Sequence, residues 1–221
     1  PIFLDGKYRV ERVVGHGGMG AVFEVTPIAH VAHISHVAID NHRLALKWLA
    51  SRVDDAPDTT LRIQRAARLC RAIRHPHVVE VYDISLHDSG SYTVMELLEG
   101  ESLAMCLARE SRISVREACR LFIECCSGVS ALHTAGVLHR DLKPANIFLC
   151  REEHGAPAHA KVLDFMIARG LGTLSSHGLS RLDSTGNTEV RRDGSVGSPP
   201  YMAPEQLSAN SCDVRTDVYA L

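Results

Sequence analysis

The chain lacks any apolar run long enough to cross a membrane, and it has no strong excess of either charge. A membrane-spanning helix needs about 20 consecutive apolar residues, so we expect no membrane segment in this stretch. The formal net charge of −2 provides no general attraction to nucleic acid or to anionic membranes. Residues 1–5 lack the basic region and apolar stretch of a signal peptide, so none is expected there.

The cysteines form no C-x-x-C pair and no disulfide framework. There are seven of them, at Cys70, Cys106, Cys119, Cys125, Cys126, Cys150 and Cys212. An odd number at scattered positions indicates reduced, mostly buried thiols in a cytoplasmic setting and argues against a metal site. The hydrophobic share of 45% is typical of a soluble globular protein.

Three polar side chains of complementary chemistry lie within six residues of the chain: Asp141, Lys143 and Asn146. Asp141 can accept a proton from a hydroxyl, and Lys143 can neutralise a phosphoryl group in transfer. The carbonyl oxygen of Asn146 is a suitable ligand for Mg²⁺. Apolar residues flank this segment at 137–138 and 147–149, which predicts two short buried strands that hold a rigid loop.

The segment from His139 to Asn146 reads H-R-D-L-x-x-x-N and resembles the catalytic loop of the eukaryotic-like serine/threonine protein kinases found in bacteria. The resemblance covers residues 8 to 221 and implies a single protein kinase domain of the α+β class. A small antiparallel sheet with one helix is expected over 8–98. A mainly helical lobe is expected over 99–221, and it is expected to be incomplete because the family continues for several more helices.

A glycine-rich segment lies between two alternating apolar stretches, Tyr8 to Val14 and Ala21 to Val25. The pattern predicts strand, turn and strand. Glycines allow a backbone to approach phosphate oxygens closely. A G-x-G-x-x-G run alone would also suit a dinucleotide-binding fold or a plain hairpin. Here it joins two strands and precedes Val22, which is the form that covers ATP in the kinases.

The resemblance also implies an ATP and Mg²⁺ site in the cleft between the two lobes. Lys47 would hold the α- and β-phosphates, and the backbone from Glu96 to Leu98 would bind adenine. The expected ATP-binding residues are Val14, Gly15, His16, Gly17, Gly18, Met19, Gly20, Ala21, Val22, Ala45, Lys47, Met95, Glu96, Leu98 and Phe148. Asn146 and Asp164 would hold Mg²⁺, whereas Asp141 and Lys143 would be catalytic.

Two positions depart from the pattern of the family. The glutamate that pairs with Lys47 falls on Ala66, and no acidic residue occurs from Thr59 to Val79. The glycine of the D-F-G motif is replaced by Met166, which removes backbone freedom at the start of the activation segment. Arginines instead recur every third residue over 62–74, a series interpreted as a solvated basic surface. Lys47 therefore lacks its usual partner, which predicts weak catalysis.

The remaining secondary structure follows from periodicity and capping residues. We expect helices over 58–74, 101–109 and 115–135, the last beginning with a Ser114–Glu117 capping box. We expect strands over 44–49, 78–85, 91–97 and 161–163. Residues 26–42 contain His30, His33, His36 and His42. In an extended hairpin, residues three positions apart point to opposite faces, so these histidines would not converge on one metal ion. A solvated insertion is therefore favoured over a metal site.

The predicted function is a serine/threonine protein kinase that uses ATP and Mg²⁺ and acts on protein hydroxyls. Ala66 and Met166 leave open a pseudokinase that binds nucleotide or acts as a scaffold. A small-molecule phosphotransferase is disfavoured by residues 197–205, which resemble the peptide-binding and A-P-E segment of the family. The 170–198 loop is expected to be a phosphorylation switch, with Thr185, Thr188, Ser195 and Ser198 as candidate acceptors, of which Ser198 is the weakest. A cytoplasmic location is expected.

Overall fold

The computed structural model describes residues 2–17, 20–28, 43–49, 59–87, 90–151, 158–165, 199–207 and 212–221. Within these residues it contains nine strands and five α-helices. The strands are β1 (Ile2–Leu4), β2 (Tyr8–Gly17), β3 (Gly20–Pro27), β4 (Leu44–Leu49), β5 (Val81–His87), β6 (Gly90–Glu96), β7 (Gly100–Ser102), β8 (Ile147–Cys150) and β9 (His159–Val162). The helices are α1 (Thr59–Ala72), α2 (Leu103–Glu110), α3 (Val115–Thr134), α4 (Pro204–Leu207) and α5 (Val214–Ala220).

Six strands form one antiparallel sheet in the order β1-β2-β3-β4-β6-β5. Strand β4 has the predicted bounds of Leu44–Leu49. Side chains of a strand alternate between the two faces of a sheet. Leu44 and Leu46 are accordingly buried in one core cluster, whereas Ala45 lies in another. The alternation therefore places Lys47 on the same face as Ala45.

Helix α1 packs against the sheet through a narrow apolar stripe. Ala67 and Cys70 near its C-terminal end, and Ile73 directly after it, recur every third residue and are buried in the core cluster of Ala45. Phe165, which follows β9, is fully buried in the same cluster. The helix, the sheet and the segment after β9 therefore share one core.

The second half of the described chain combines helices with a small antiparallel sheet of order β7-β8-β9. Ser114 caps α3 as predicted, because its side chain accepts a hydrogen bond from the backbone N–H of Glu117. Gly128 allows α3 to approach the segment before β5: a Cβ atom there would lie 2.4 Å from the backbone oxygen of His77. These elements confirm the α+β class, and the lobe boundary at 98–99 stays a prediction.

Several predicted boundaries are wrong. Residues 137–138 form no strand, because they directly follow α3 and the N–H of Val137 bonds to the carbonyl oxygen of Leu132. Residues 101–102 belong to β7, and Ser102 caps α2. Val78 lies outside β5 and forms an isolated parallel bridge with Val162. Strands β1 and β7 were not predicted, since each has only three residues.

None of the helices in the described ranges is long and apolar enough to span a membrane.

Candidate active site

Asp141, Lys143 and Asn146 contact one another in the loop between α3 and β8. Lys143 Nζ donates to Asp141 Oδ2 over 2.8 Å, and Asn146 Nδ2 donates to the same oxygen over 3.0 Å. Asn146 Nδ2 also donates to the backbone oxygen of Asp141 over 2.7 Å. A short 3₁₀-helix over Pro144–Asn146 turns the chain back and makes these contacts possible. The loop thus brings together the three side chains that the sequence singled out.

His139 holds this loop in place, and its hydrogen bonds require a single tautomer of the imidazole. Its Nδ1 accepts a hydrogen bond from the backbone N–H of Asp141 over 3.2 Å, so Nδ1 carries no proton. Its Nε2 lies 2.7 Å from the carbonyl oxygen of Leu163, which can only accept, so Nε2 carries the proton. Burial lowers the pKa of His139, against the opposing effect of Asp217. The imidazole is therefore held neutral, and it links the catalytic loop to the residue before Asp164.

We expect the folding stability to fall as the pH drops below about 6.5, the pKa of His139 in the unfolded chain. In the folded state the lowered pKa keeps His139 neutral. Its contribution is complete above the unfolded pKa and is lost as the pH falls towards the folded pKa, because only the unfolded chain takes up a proton there. The loss approaches about 1.4 kcal/mol for each unit of difference in pKa.

The measurement is the free energy of unfolding in urea at pH 7.5 and pH 5.5, for the wild type and for His139→Asn. The variant should lose less stability between the two pH values than the wild type does. Equal losses would show that His139 does not contribute to the pH dependence.

Asp217 supports the loop from α5. Its carboxylate is almost fully buried and accepts hydrogen bonds from the backbone N–H groups of His139, over 2.9 Å, and Arg140, over 2.7 Å. His133 Nε2 lies 2.8 Å from the same carboxylate. Arg140 has a φ of 65°, a region that residues other than glycine rarely adopt. The buried carboxylate therefore stabilises a strained backbone just before Asp141.

Lys47 pairs with Asp164, which follows β9. Lys47 Nζ donates to Asp164 Oδ2 over 2.5 Å, and both side chains are mostly buried. Asp164 has a φ of 60°, and the residue after it, Phe165, is fully buried. The structure thus gives Lys47 a carboxylate partner from the segment after β9, 117 residues away in sequence. The side chain of Ala66 lies outside the described part of the chain.

The donor set at this site suits Mg²⁺ bound together with phosphates. Asn146 uses its amide nitrogen to hold Asp141, which leaves its carbonyl oxygen as the atom that can face a cation. Asp164 provides a carboxylate. The backbone N–H of Leu163, the residue before Asp164, donates to the backbone carbonyl oxygen of Asn146 over 2.9 Å, which keeps Asn146 and Asp164 close and leaves the side-chain oxygen of Asn146 available. No group of three or more His, Cys, Asp and Glu in the described ranges could hold a metal alone. Oxygens from a nucleotide would therefore complete the coordination, as Mg²⁺ commonly requires.

Most of the residues expected around adenine lie on neighbouring strands of the six-stranded sheet, whereas Phe148 lies in the three-stranded sheet. Ala45 is directly opposite Met95, and Val22 is directly opposite Lys47. Met95 is buried, and Phe148 lies in β8. Val14, Gly15, His16, Gly17, Gly20 and Ala21 lie on β2 and β3, next to the turn. A Cβ atom at Gly15 would meet no atom within 4 Å, so the backbone there borders open space.

Glu96 has a structural role that the sequence did not reveal. Its Oε1 accepts hydrogen bonds from Lys161 Nζ, over 2.5 Å, and from the backbone N–H of Glu80, over 2.8 Å. These contacts connect the end of β6 to β9 and to the segment before β5. Leu98 follows the end of β6 by two residues. Lys161 is 65 residues from Glu96, so no local spacing could have indicated the pair.

Some of the expected positions lie outside the described residues. They are Gly18 and Met19 of the glycine-rich turn, Met166, the histidines of the 26–42 insertion, and the 170–198 loop. The prediction that the arginine series forms a solvated surface is corrected in part. Arg65 and Arg68 are exposed as expected, but Arg71 pairs with Asp83 and Arg74 pairs with Glu80.

Comparisons with known proteins agree with this geometry. The protein kinase domain family matches residues 8–221. The serine/threonine-protein kinase PknE of Mycobacterium tuberculosis is 33% identical over 216 residues, which are 98% of this chain and 33% of that protein. Pkn1 of Myxococcus xanthus is 32% identical over 216 residues, which are 98% of this chain and 28% of that protein. The chain therefore spans about a third of the length of these curated relatives.

A solved structure, the kinase domain of PknI from Mycobacterium tuberculosis, matches with a TM-score of 0.69 and 24% identity. The match covers 99% of this chain and 72% of that chain. This likeness shows the fold, and the family match and the curated relatives show a protein kinase of the bacterial serine/threonine type. The chain belongs to the protein kinase family.

Proposed function

We propose that this chain is the catalytic part of an active serine/threonine protein kinase, which transfers the γ-phosphate of ATP to a protein hydroxyl. One observation supports the proposal above all others. The Asp141–Lys143–Asn146 group and the Lys47–Asp164 pair are joined through Leu163, which bonds to both His139 and Asn146. A base, a metal-binding amide, a metal-binding carboxylate and a phosphate-binding lysine are therefore held by one connected framework.

In the proposed reaction Asp141 accepts the proton of the substrate hydroxyl as that oxygen attacks the phosphoryl group. Lys143, already 2.8 Å from Asp141, stabilises the charge that develops nearby. Mg²⁺ held by Asn146 and Asp164 would neutralise charge on the phosphates. Lys47 has three N–H donors, so it can keep its bond to Asp164 and also donate to a phosphate oxygen. Positioning and electrostatics thus supply most of the catalysis.

The proposal also covers the partners. The substrates are protein serines or threonines, since Lys143 occupies the position typical of the serine/threonine class. They include residues of the chain's own 170–198 loop. We propose that residues 1–221 belong to a single kinase domain that works in the cytoplasm and requires no nucleic acid.

A pseudokinase is the second candidate. It is favoured by the absence of acidic residues over 59–79, since the described partner of Lys47 comes from the segment after β9 and not from α1. Such a protein would bind nucleotide or act as a scaffold without transferring phosphate. A phosphoryl-transfer assay separates the two candidates, whereas nucleotide binding alone does not.

We expect ATP to bind in the presence of Mg²⁺, and we expect Lys47→Met to weaken that binding at least tenfold, or about 1.4 kcal/mol. The variant keeps the length of the side chain but removes the cation from the phosphate site. Isothermal titration calorimetry on the full natural chain measures the affinity. Arg116→Met is the matched control, because it removes a cation from an exposed position on α3. A folded wild type that binds no ATP with Mg²⁺ present would contradict the proposed function.

A further inference from the structure

A buried ion pair joins helix α1 to the sheet. The Asp83 side chain on β5 is only 6% exposed, and the Arg71 side chain in the last turn of α1 is 23% exposed. Arg71 Nη2 lies 3.6 Å from Asp83 Oδ1, which is an ion pair but too long for a good hydrogen bond. A carboxylate so far from water requires a nearby cation. Arg71 supplies that cation, so the arginine series on α1 is more than a solvated surface.

The orientation of Asp83 is fixed by its neighbours on the same strand. Its Oδ2 accepts a hydrogen bond from Ser85 Oγ over 3.1 Å, and its Oδ1 accepts from the backbone N–H of Ile84 over 3.0 Å. These two hydrogen bonds therefore hold the Asp83 carboxylate in one orientation on β5. An arginine that pairs with it fixes how the last turn of α1 is rotated about the helix axis and how far that turn lies from the sheet.

The same end of the helix shares a core cluster with Phe165, the residue next to Asp164. Ala67 and Cys70, which are four residues and one residue before Arg71, are buried in one cluster with Phe165. Phe165 follows Asp164, whose carboxylate holds Lys47. A shift of α1 would therefore displace Phe165 and loosen Asp164, which already has an unfavourable positive φ.

We propose that Arg71 is a positioning residue, whose ion pair with Asp83 holds α1 where Phe165, Asp164 and Lys47 need it. The inference rests on the proposed function, because the effect is read through phosphoryl transfer. Arg71 thereby fixes the position of α1 on the sheet. A carboxylate at position 66 would also fix α1, because it would pair with Lys47. This chain has alanine at that position.

The experiment compares Arg71→Met with Arg68→Met in two backgrounds, wild type and Ala66→Glu. Both variants remove one arginine from α1, but Arg68 is exposed and serves as the control. In the wild-type background Arg71→Met should lower kcat for transfer to a generic basic protein about tenfold, and Arg68→Met should leave it within about twofold. In the Ala66→Glu background the loss caused by Arg71→Met should shrink to about threefold or less, because the new carboxylate fixes the helix through Lys47.

Asp83→Asn provides a second variant in case Arg71→Met folds poorly. It should reproduce the loss of kcat, and the double variant Arg71→Met/Asp83→Asn should be no worse than the poorer single variant. Arg71→Lys, which keeps the charge, should recover part of the rate. Equal kcat losses from Arg71→Met in the two backgrounds would overturn the proposal, since a residue that only stabilises the fold gains nothing from a glutamate at position 66.

Hydrogen exchange of the amides at 67–73 distinguishes a failure of this inference from a failure of the proposed function. Exchange there should be about tenfold faster in Arg71→Met than in Arg68→Met, whether or not phosphate is transferred. If the wild type transfers no phosphate, the proposed function fails, and the exchange rates alone decide whether the ion pair holds α1. Equal exchange in the two variants would overturn the inference.

Discussion

Replacing Asp141 by Asn should reduce phosphoryl transfer about 10²–10⁴-fold while leaving the affinity for ATP and Mg²⁺ within about threefold of the wild type. The amide cannot take the proton of the attacking hydroxyl. It can still accept hydrogen bonds from Lys143 and Asn146 through its remaining oxygen, so the loop should keep its shape. Affinity for the nucleotide depends on Lys47, Asp164 and the strands around adenine, which the substitution does not touch.

Transfer of labelled phosphate to a generic basic protein measures the first effect, and calorimetry measures the second. Glu110→Gln is the matched control, because it removes a half-exposed carboxylate that pairs with the exposed Arg109 on α2. It should change neither quantity by more than about twofold. Full transfer by Asp141→Asn would show that Asp141 is not the base.

Asp217→Ala should destabilise the folded chain by about 2–5 kcal/mol and abolish transfer. The substitution leaves the backbone N–H groups of His139 and Arg140 without their acceptor in a buried place. Each unsatisfied buried group costs about 1–3 kcal/mol. It also releases His133 and removes the support for the positive φ of Arg140. The catalytic loop should therefore lose its geometry even in molecules that remain folded.

Urea unfolding and the transfer assay test this expectation side by side. Asp213→Ala is the control, since Asp213 is a half-exposed carboxylate at the N-terminus of the same helix and caps it through the N–H of Arg215. Loss of a helix cap costs about 1 kcal/mol and should leave transfer largely intact. If the two variants lose equal stability and equal activity, the buried carboxylate has no special role in the loop.

The catalytic loop was predictable because its chemistry is local. Asp141, Lys143 and Asn146 lie within six residues, so one turn of chain brings them together. The strand of Lys47 was predictable from its unbroken apolar pattern, and its bounds are confirmed. The pairing of Lys47 with Asp164 joins residues 117 apart, and only the family resemblance suggested that they would lie near each other.

The contacts that depend on tertiary packing were not predictable. Residues 137–138 are apolar, but they follow the end of α3, and periodicity cannot distinguish such a pair from a short strand. The role of Arg71 could not be read from the arginine series, because every third position on a helix drifts around its axis and only the sheet determines which arginine meets Asp83. The pairing of Lys161 with Glu96 was not predictable either, because the two residues are 65 positions apart and only the tertiary fold brings them together.

We propose that phosphate transfer depends on one connected framework, made of Lys47, Asp164, Asp141, Lys143 and Asn146. The most direct measurement incubates the full natural chain with γ-labelled ATP, Mg²⁺ and a generic basic protein, and then identifies the labelled amino acids. We expect label on serine and threonine that requires Mg²⁺ and disappears in Asp141→Asn. A folded protein that binds ATP with Mg²⁺ but leaves both itself and the added protein unlabelled would show that this chain is a pseudokinase and not an active kinase.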